Sequence, residues 1–366
     1  MQLCIASTLL ESSDTANILL IRTVALFYFG VIGAIAAQEA RPSPTPSVVY
    51  VAHDADAITD YHANGKVVRA MVNRLVLAVT DQSDIAKAWA SLVAPNEKVG
   101  IKIAAAGGEL FTTHRDVVMA IVDGLVAAGH ERGSITVWDR SLGGMKGAGY
   151  RPGAEGFRIM SIAPRDGYDP KQVFSTPLMG KLIWGDFEFA SDRGKVPLLS
   201  DTENTSSASH FSRILTTEVT KIINVPVMSG SETNGLAGCL YNVTIPNIDN
   251  WRRFTQGPGF GLAAIAEIYA NPVIRQKVVL NIMDGLIAQY AAGPEPHPNY
   301  ALHHDTLYAS KDPVAIDALA LSKIEQWRKS ASLPSIVKHA VHVPAAAQLG
   351  LGNGTLDKVQ VKNVGR

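Results

Sequence analysis

The sequence predicts an α/β fold: a mostly parallel sheet flanked by helices, with an irregular β-rich or loop-rich middle lobe. Three observations predict it. Apolar runs of strand length at 99–104, 221–227 and 277–283 each carry a polar residue inside or at the exit of an otherwise hydrophobic stretch, the pattern of strands covered on both faces. Residues 99–104, a helical stretch at 116–128 and residues 134–139 form one β-α-β unit, for which parallel pairing and a right-handed crossover are the default. Between about 143 and 212 both periods dissolve into Gly, Pro, Asp and Ser, yet Tyr150, Phe157, Tyr168, Phe174, Trp184, Phe187 and Phe189 fall there, too many aromatics for a disordered segment.

Taken in order, residues 1–37 read as a secretory leader, because Arg22 precedes an apolar run of about 15 residues that ends in small side chains, shorter than a bilayer span. Cleavage is expected near Ala36 or Ala37, with an uncleaved anchor as the alternative. Residues 38–47, with Pro42, Pro44 and Pro46 alternating with Ser and Thr, read as a linker, and 48–366 as a single α/β domain. Residues 47–52 are the first strand. Apolar spacings of three and four predict helices over 65–79 and 83–93, broken at Pro95. After the strand at 99–104, helix 116–128 stops at Gly129 and 134–139 is a strand. Beyond the middle lobe come strand 221–227, a Gly/Ser/Asn loop over 228–238, helix 262–270 and strand 277–283, which Asp284-Gly285 closes. A short strand at 306–309 leads to a helix over 313–329, with Asp312 as its N-cap and Pro313 at its first position. A helix from Ser335 should break or kink at Pro344, and 358–361 is a final strand.

Composition narrows the function classes. The chain has 366 residues, 47% of them hydrophobic, with 33 basic and 33 acidic side chains in no long block of either sign. No electrostatic footprint for nucleic acid or an anionic membrane results, and none for a membrane once the leader is removed. Only Cys4 and Cys239 are present, so the mature chain has no internal disulfide and no cysteine-held iron–sulfur cluster. Cys239 reads as a small buried hydrophobe.

Polar residues at strand positions and strand exits are the candidates for chemistry. Lys102 reads either as an anion ligand or base of lowered pKa, or as a structural ion pair with Asp139 on the neighbouring strand. Asp139 and Arg140 stand at a strand exit, where open α/β sheets bind ligands, or form a loop-fixing pair. Thr112 or Thr113 can cap the following helix, whose N-terminus favours an anion, and beside them His114 is the histidine placed for acid/base work or metal ligation. Asp284 ends a strand next to a permissive glycine; Asp317 sits inside an apolar helix. Asn224 and Asn242 can orient a substrate, ligate a hard cation or clamp backbone. His303-His304-Asp305 and the His339/His342 pair, three apart on an expected helix, lack a third ligand. Asn204, Asn242 and Asn353 match glycosylation sequons.

Ile101-Lys102-Ile103, Thr113-His114, Val137-Trp138-Asp139-Arg140, Ala148-Gly149-Tyr150, Ile223-Asn224-Val225-Pro226, Leu240-Tyr241-Asn242, Ile282-Met283-Asp284-Gly285, Gly293-Pro294, Asp312 to Asp317 and Leu349 to Gly352 together resemble the domain-of-unknown-function family 362 (DUF362). The resemblance implies a fold and a site at the strand carboxyl ends, with little about chemistry. The chain departs from the family pattern at Met228 to Ser231 and at Tyr241, where relatives carry cationic side chains. The expected function is an exported enzyme acting on a small anionic substrate. Lys102, Arg140, Thr113, Asn224 and Asn242 would bind it, His114, Asp284 and Lys102 would serve acid/base chemistry, and Asp139 with Asp284 would hold a divalent metal. The alternative is a non-catalytic periplasmic protein that binds a small molecule or anion in the same crevice.

Overall fold

Apolar strands interleaved with amphipathic helices bury themselves best as a sheet covered on both sides. The computed structural model has that architecture over the residues it describes, 45–163, 166–175, 208–254 and 263–365. The strands are β1 (Ser47–His53), β2 (Ile58–Thr59), β3 (His62–Ala63), β4 (Val99–Ile103), β5 (Thr136–Asp139), β6 (Arg158–Ser161), β7 (Tyr168–Ser175), β8 (Ala208–Ser212), β9 (Lys221–Val225), β10 (Val227–Ser231), β11 (Gly235–Leu236), β12 (Val278–Gln289), β13 (Ala301–Ser310) and β14 (Val359–Asn363). The main sheet runs β14-β1-β13-β12-β9-β4-β5-β6, with β10 paired to β12 and β11 to β10. Along that path every neighbouring pair is parallel except the two made by β13, which is antiparallel to both β1 and β12.

The helices are α1 (Gly65–Thr80), α2 (Ile85–Leu92), α3 (Arg115–Ala127), α4 (Leu142–Gly147), α5 (Cys239–Thr244), α6 (Ala263–Ala270), α7 (Pro272–Arg275), α8 (Pro313–Ser330) and α9 (His342–Gln348). Helices α1, α2 and α3 cover one face, packing on Ile101, Ile103, Ile223, Val225, Leu280 and Ile282. Helices α5, α6, α8 and α9 cover the other, with Trp138, Met228, Met283 and Tyr308. Alternation along the strands therefore turns Lys102, Asn224 and Asn281 toward this second face, and Asp284 toward α3. The β-α-β unit forms as expected, with β4 and β5 parallel around α3.

Several boundaries differ from the sequence reading. Asp284-Gly285 does not end β12; a register shift between Gly285 and Ile287 absorbs the glycine and the strand continues to Gln289. The strand expected over 221–227 ends at Val225, and Val227 joins residues 228–231, expected in a loop, to form β10 on the edge of β12. The short strand expected at 306–309 is ten residues long. Helix α9 starts at His342, so Pro344 lies in its first turn, where the missing N–H costs nothing. His339 belongs to a separate 3-10 turn, Val337–His339, so the two histidines share no helix face. Within the middle lobe, β6 joins the main sheet while β7 and β8 pair antiparallel. The leader, most of the linker and Asn204 lie outside the described residues. Asn242 and Asn353 are buried, with side chains engaged inside the protein. No helix of the described residues is long and apolar enough to cross a membrane.

Candidate active site

The expected site residues separate into two hydrogen-bonded groups and one outlier. The first group spans the sheet on its second face. Lys102 Nζ donates to Asp139 Oδ1 at 2.7 Å, to the Ile103 carbonyl at 2.6 Å and to Asn242 Oδ1 at 3.2 Å. Three ammonium hydrogens thus meet three acceptors. Asn242, on α5, donates to Asn224 Oδ1 at 2.8 Å, Asn224 donates to Asn281 Oδ1 at 2.9 Å, and Asn281 donates to the Ser310 carbonyl at 3.3 Å. Lys102, Asn224 and Asn281 are in direct register across β4, β9 and β12, which lets their side chains form a continuous ladder from β5 to β13. All are buried. Burial lowers the Lys102 pKa, against the opposing pull of Asp139. Asp139 Oδ2 accepts from the Ala105 amide at 2.8 Å, so both of its oxygens are occupied. The ion-pair reading of Lys102 and the clamp readings of the asparagines describe this arrangement. Asn281 and Ser310 were not singled out in the sequence. An asparagine inside the apolar string 278–283 was the available signal.

The second group lies at the N-terminus of α3. His114 is the N-cap residue, with no side-chain cap bond, and neither threonine caps the helix. Thr113 Oγ1 instead donates to the Val225 carbonyl at 2.7 Å and accepts from the Ala104 amide at 2.9 Å, tying the loop after β4 to the end of β9. That bond frees His114 to turn back toward β12. Its backbone amide donates to Asp284 Oδ2 at 2.7 Å, and its Nδ1 lies 2.9 Å from the same oxygen. The carboxylate can only accept, so Nδ1 carries the hydrogen and the neutral ring keeps its lone pair at Nε2. Asp284 is wholly buried, and its Oδ1 accepts from the Leu286 amide at 3.1 Å. Burial opposes a charge on the imidazole, but Asp284, by charge and hydrogen bond, and Asp116 more weakly, raise the His114 pKa above its ordinary value. His114 Nε2 is buried and has no hydrogen-bond partner.

Arg140 stands apart from both groups. It donates to the carbonyls of Ile245 and Ile248, each at 3.2 Å, and to the Tyr168 hydroxyl at 3.3 Å, with its guanidinium 5.0 Å from the Trp251 ring. These contacts fasten the loop after β5 to the segment after α5 through carbonyls and a hydroxyl, while Asp139, expected to form a loop-fixing pair with Arg140, takes Lys102. The metal pair expected from Asp139 and Asp284 does not assemble. The two carboxylates share no partner, each oxygen of both accepts from a protein donor, and no three His, Cys, Asp or Glu side chains converge on a metal position among the described residues.

Other sequence candidates also have structural partners. Asp317 accepts from the Cys239 and Leu240 amides at 2.6 and 3.0 Å, and burial, working against those bonds, pushes its pKa up to about 7. Burial pushes the Cys239 thiol well up, in keeping with an inert core residue. His304 meets the Tyr308 hydroxyl at 2.5 Å and the edge of Trp327, and burial lowers its pKa to about 4. A second histidine–aspartate couple, His210 Nδ1 to Asp249 Oδ2 at 2.9 Å, carried no sequence signal, because both members lie among other polar residues rather than in or at the exit of an apolar strand.

Comparison with known proteins adds family membership and little else. The family described as a domain of unknown function (DUF362) matches residues 98–322. No curated protein matches the sequence. Among solved structures, a crystal structure of a Thermotoga maritima protein from a structural genomics consortium is similar at 12% identity with a TM-score of 0.39. The match covers 75% of this chain and 61% of that one.

Proposed function

The chain belongs to the domain-of-unknown-function family DUF362, whose matched segment contains every residue of both hydrogen-bonded groups, and we propose that it is an acid/base enzyme whose proton-transferring group is His114. The observation that carries the proposal is the Nε2 atom of His114. A buried nitrogen without a partner costs about 1–3 kcal/mol and calls for an explanation, of which a catalytic role is one; at His114 the buried carboxylate on the other ring nitrogen favours that one. Asp284 fixes the tautomer and stabilises the protonated ring, leaving Nε2 to take a proton from, or return one to, a bound small molecule. Lys102 has all three of its hydrogens bonded within the protein and the Arg140 guanidinium donates to two carbonyls and a hydroxyl, so the proposal assigns them to holding the site and assigns the substrate contact to His114. The leader-like residues before the domain add the proposal that the enzyme works after export. Intact-mass measurement of the native protein should then place its N-terminus near Ala36 or Ala37.

The test compares purified wild-type protein with His114→Gln and Asp284→Asn in a fractionated small-molecule extract, followed by mass spectrometry. A compound consumed by the wild type and spared by both variants is the expected result. A compound that binds the wild type stoichiometrically but is never converted would replace the enzyme with a binding protein.

A further inference from the structure

The loop that carries His114 is held from outside the sheet by a segment of the middle lobe. Tyr150, wholly buried, donates its hydroxyl hydrogen to the Thr113 carbonyl at 3.1 Å. Five residues on, Glu155 takes the Arg115 guanidinium, with Nη2 at 2.5 Å and Nε at 3.1 Å from the same carboxylate oxygen, while its other oxygen accepts from the Arg151 amide at 3.4 Å. The residues on either side of His114 are therefore gripped by one short stretch of chain. Neither grip touches the imidazole. Burial, reinforced by the Asp284 charge, pushes the Tyr150 phenol pKa well above its ordinary value, so Tyr150 remains a donor throughout the pH range in which His114 titrates.

We propose that Tyr150 and Glu155 are positioning residues for His114: together they hold the Thr113 carbonyl before it and the Arg115 side chain after it so that its backbone amide and Nδ1 reach the same Asp284 oxygen. The geometry requires such a device. One carboxylate oxygen accepts both bonds only if the Thr113–His114 peptide plane and the His114 side-chain torsion are set together. Thr113 is tied to β9 through Oγ1 and to Ala104 through Oγ1 and its own amide, but none of these bonds is made by its carbonyl, the atom that belongs to the Thr113–His114 peptide. Tyr150 supplies the opposing hold, and the Arg115–Glu155 pair stops the first turn of α3 from rotating. This assignment rests on the acid/base reading of His114, and the experiment separates the two.

The imidazole of His114 is titrated by NMR on ring-labelled full-length protein, as wild type, Tyr150→Phe and Glu155→Gln, with melting recorded on each sample. In the wild type a raised pKa and the Nδ1–H tautomer are expected; an ordinary pKa with the opposite tautomer would sink the acid/base reading itself. With the wild type as expected, Tyr150→Phe keeps the ring and its packing and should weaken proton binding at His114 by about tenfold, with Glu155→Gln moving it the same way by less. A folded Tyr150→Phe protein with an unchanged His114 pKa overturns the positioning role, whatever its melting temperature. Should that variant not fold, an unchanged pKa in Glu155→Gln overturns it equally.

Discussion

At Asp284 one oxygen serves two donors of the same residue, and that sharing decides how His114 responds to pH. The His114 pKa is raised in the folded chain, so its contribution to stability is fully present below the ordinary value of about 6.5 and is lost as pH rises through the higher folded value. Asp284→Asn removes the charge and leaves burial as the main influence. The His114 pKa should then drop below 6.5, and its share of stability should grow with pH instead of shrinking, which denaturant titration from pH 5 to 8 would detect as a change of slope. Lys102 makes the contrasting case. With all three of its hydrogens bonded, Lys102→Ala leaves Asp139 and Asn242 buried without their donor and should cost about 3–5 kcal/mol. A loss below about 1 kcal/mol, the range of an exposed pair, would show that the ladder is not structural. Residue type and position revealed Lys102, His114 and Asp284 in the sequence, because a charge in an apolar strand or at a strand exit demands a partner. The partner of Lys102 was legible as well, because Asp139 leaves the neighbouring strand. The partner of His114 was not: Asp139 and Asp284 looked equivalent as carboxylates at strand exits, and only the fold gives Asp284 to the histidine.

Among the elements, α5 shows how a short helix is made to hold a polar side chain still. Six residues cannot sustain a helix alone; its first two amides are bound by the Asp317 carboxylate from the second turn of α8, and a Cβ at Gly238 would overlap that carboxylate. Asn242 is thereby fixed between Lys102 and Asn224. Asp317 has a folded pKa of about 7 against an ordinary 3.8, so its contribution is complete below pH 3.8 and is lost as pH rises through about 7. In Asp317→Asn, which resembles the protonated acid, the decline in melting temperature between pH 6 and pH 8 should therefore shrink. It would not disappear, because His114 acts in the same direction; the double variant Asp317→Asn/Asp284→Asn should flatten it further. The helices α1, α2 and α3 were legible to within two residues because their apolar spacings are regular and Asn64 and Asp84 cap the first two. Strand ends were less legible. β12 runs through Asp284-Gly285 because a bulge accommodates it, and β10 escaped notice because Met228-Ser229-Gly230-Ser231 has no alternation to read.

Across the whole molecule, the two polar groups face opposite helix layers yet meet at the end of one strand. Asn224 carries the ladder, the next carbonyl, Val225, holds Thr113, and the next, Pro226, accepts from the Asp284 amide. Nothing in sequence periodicity shows this. Strand order is a long-range property, and neither the antiparallel β13 nor the insertion of β1 between β14 and β13 follows from local pattern. The arrangement has a consequence for additivity. A shift of β9 caused by Asn224→Ala should disturb the seat of His114, so a double-mutant cycle of Asn224→Ala with His114→Gln should show a coupling above about 0.5 kcal/mol, the scatter found for independent sites. Asp312 provides the control. Its carboxylate caps α8 and also takes Ser47 and the Asn353 amide near the opposite edge of the sheet, sharing no partner with His114. Asp312→Ala should cost more than the about 1 kcal/mol of a lost cap, yet add to His114→Gln without coupling. Equal couplings in the two cycles would mean that the end of β9 does not join the two faces.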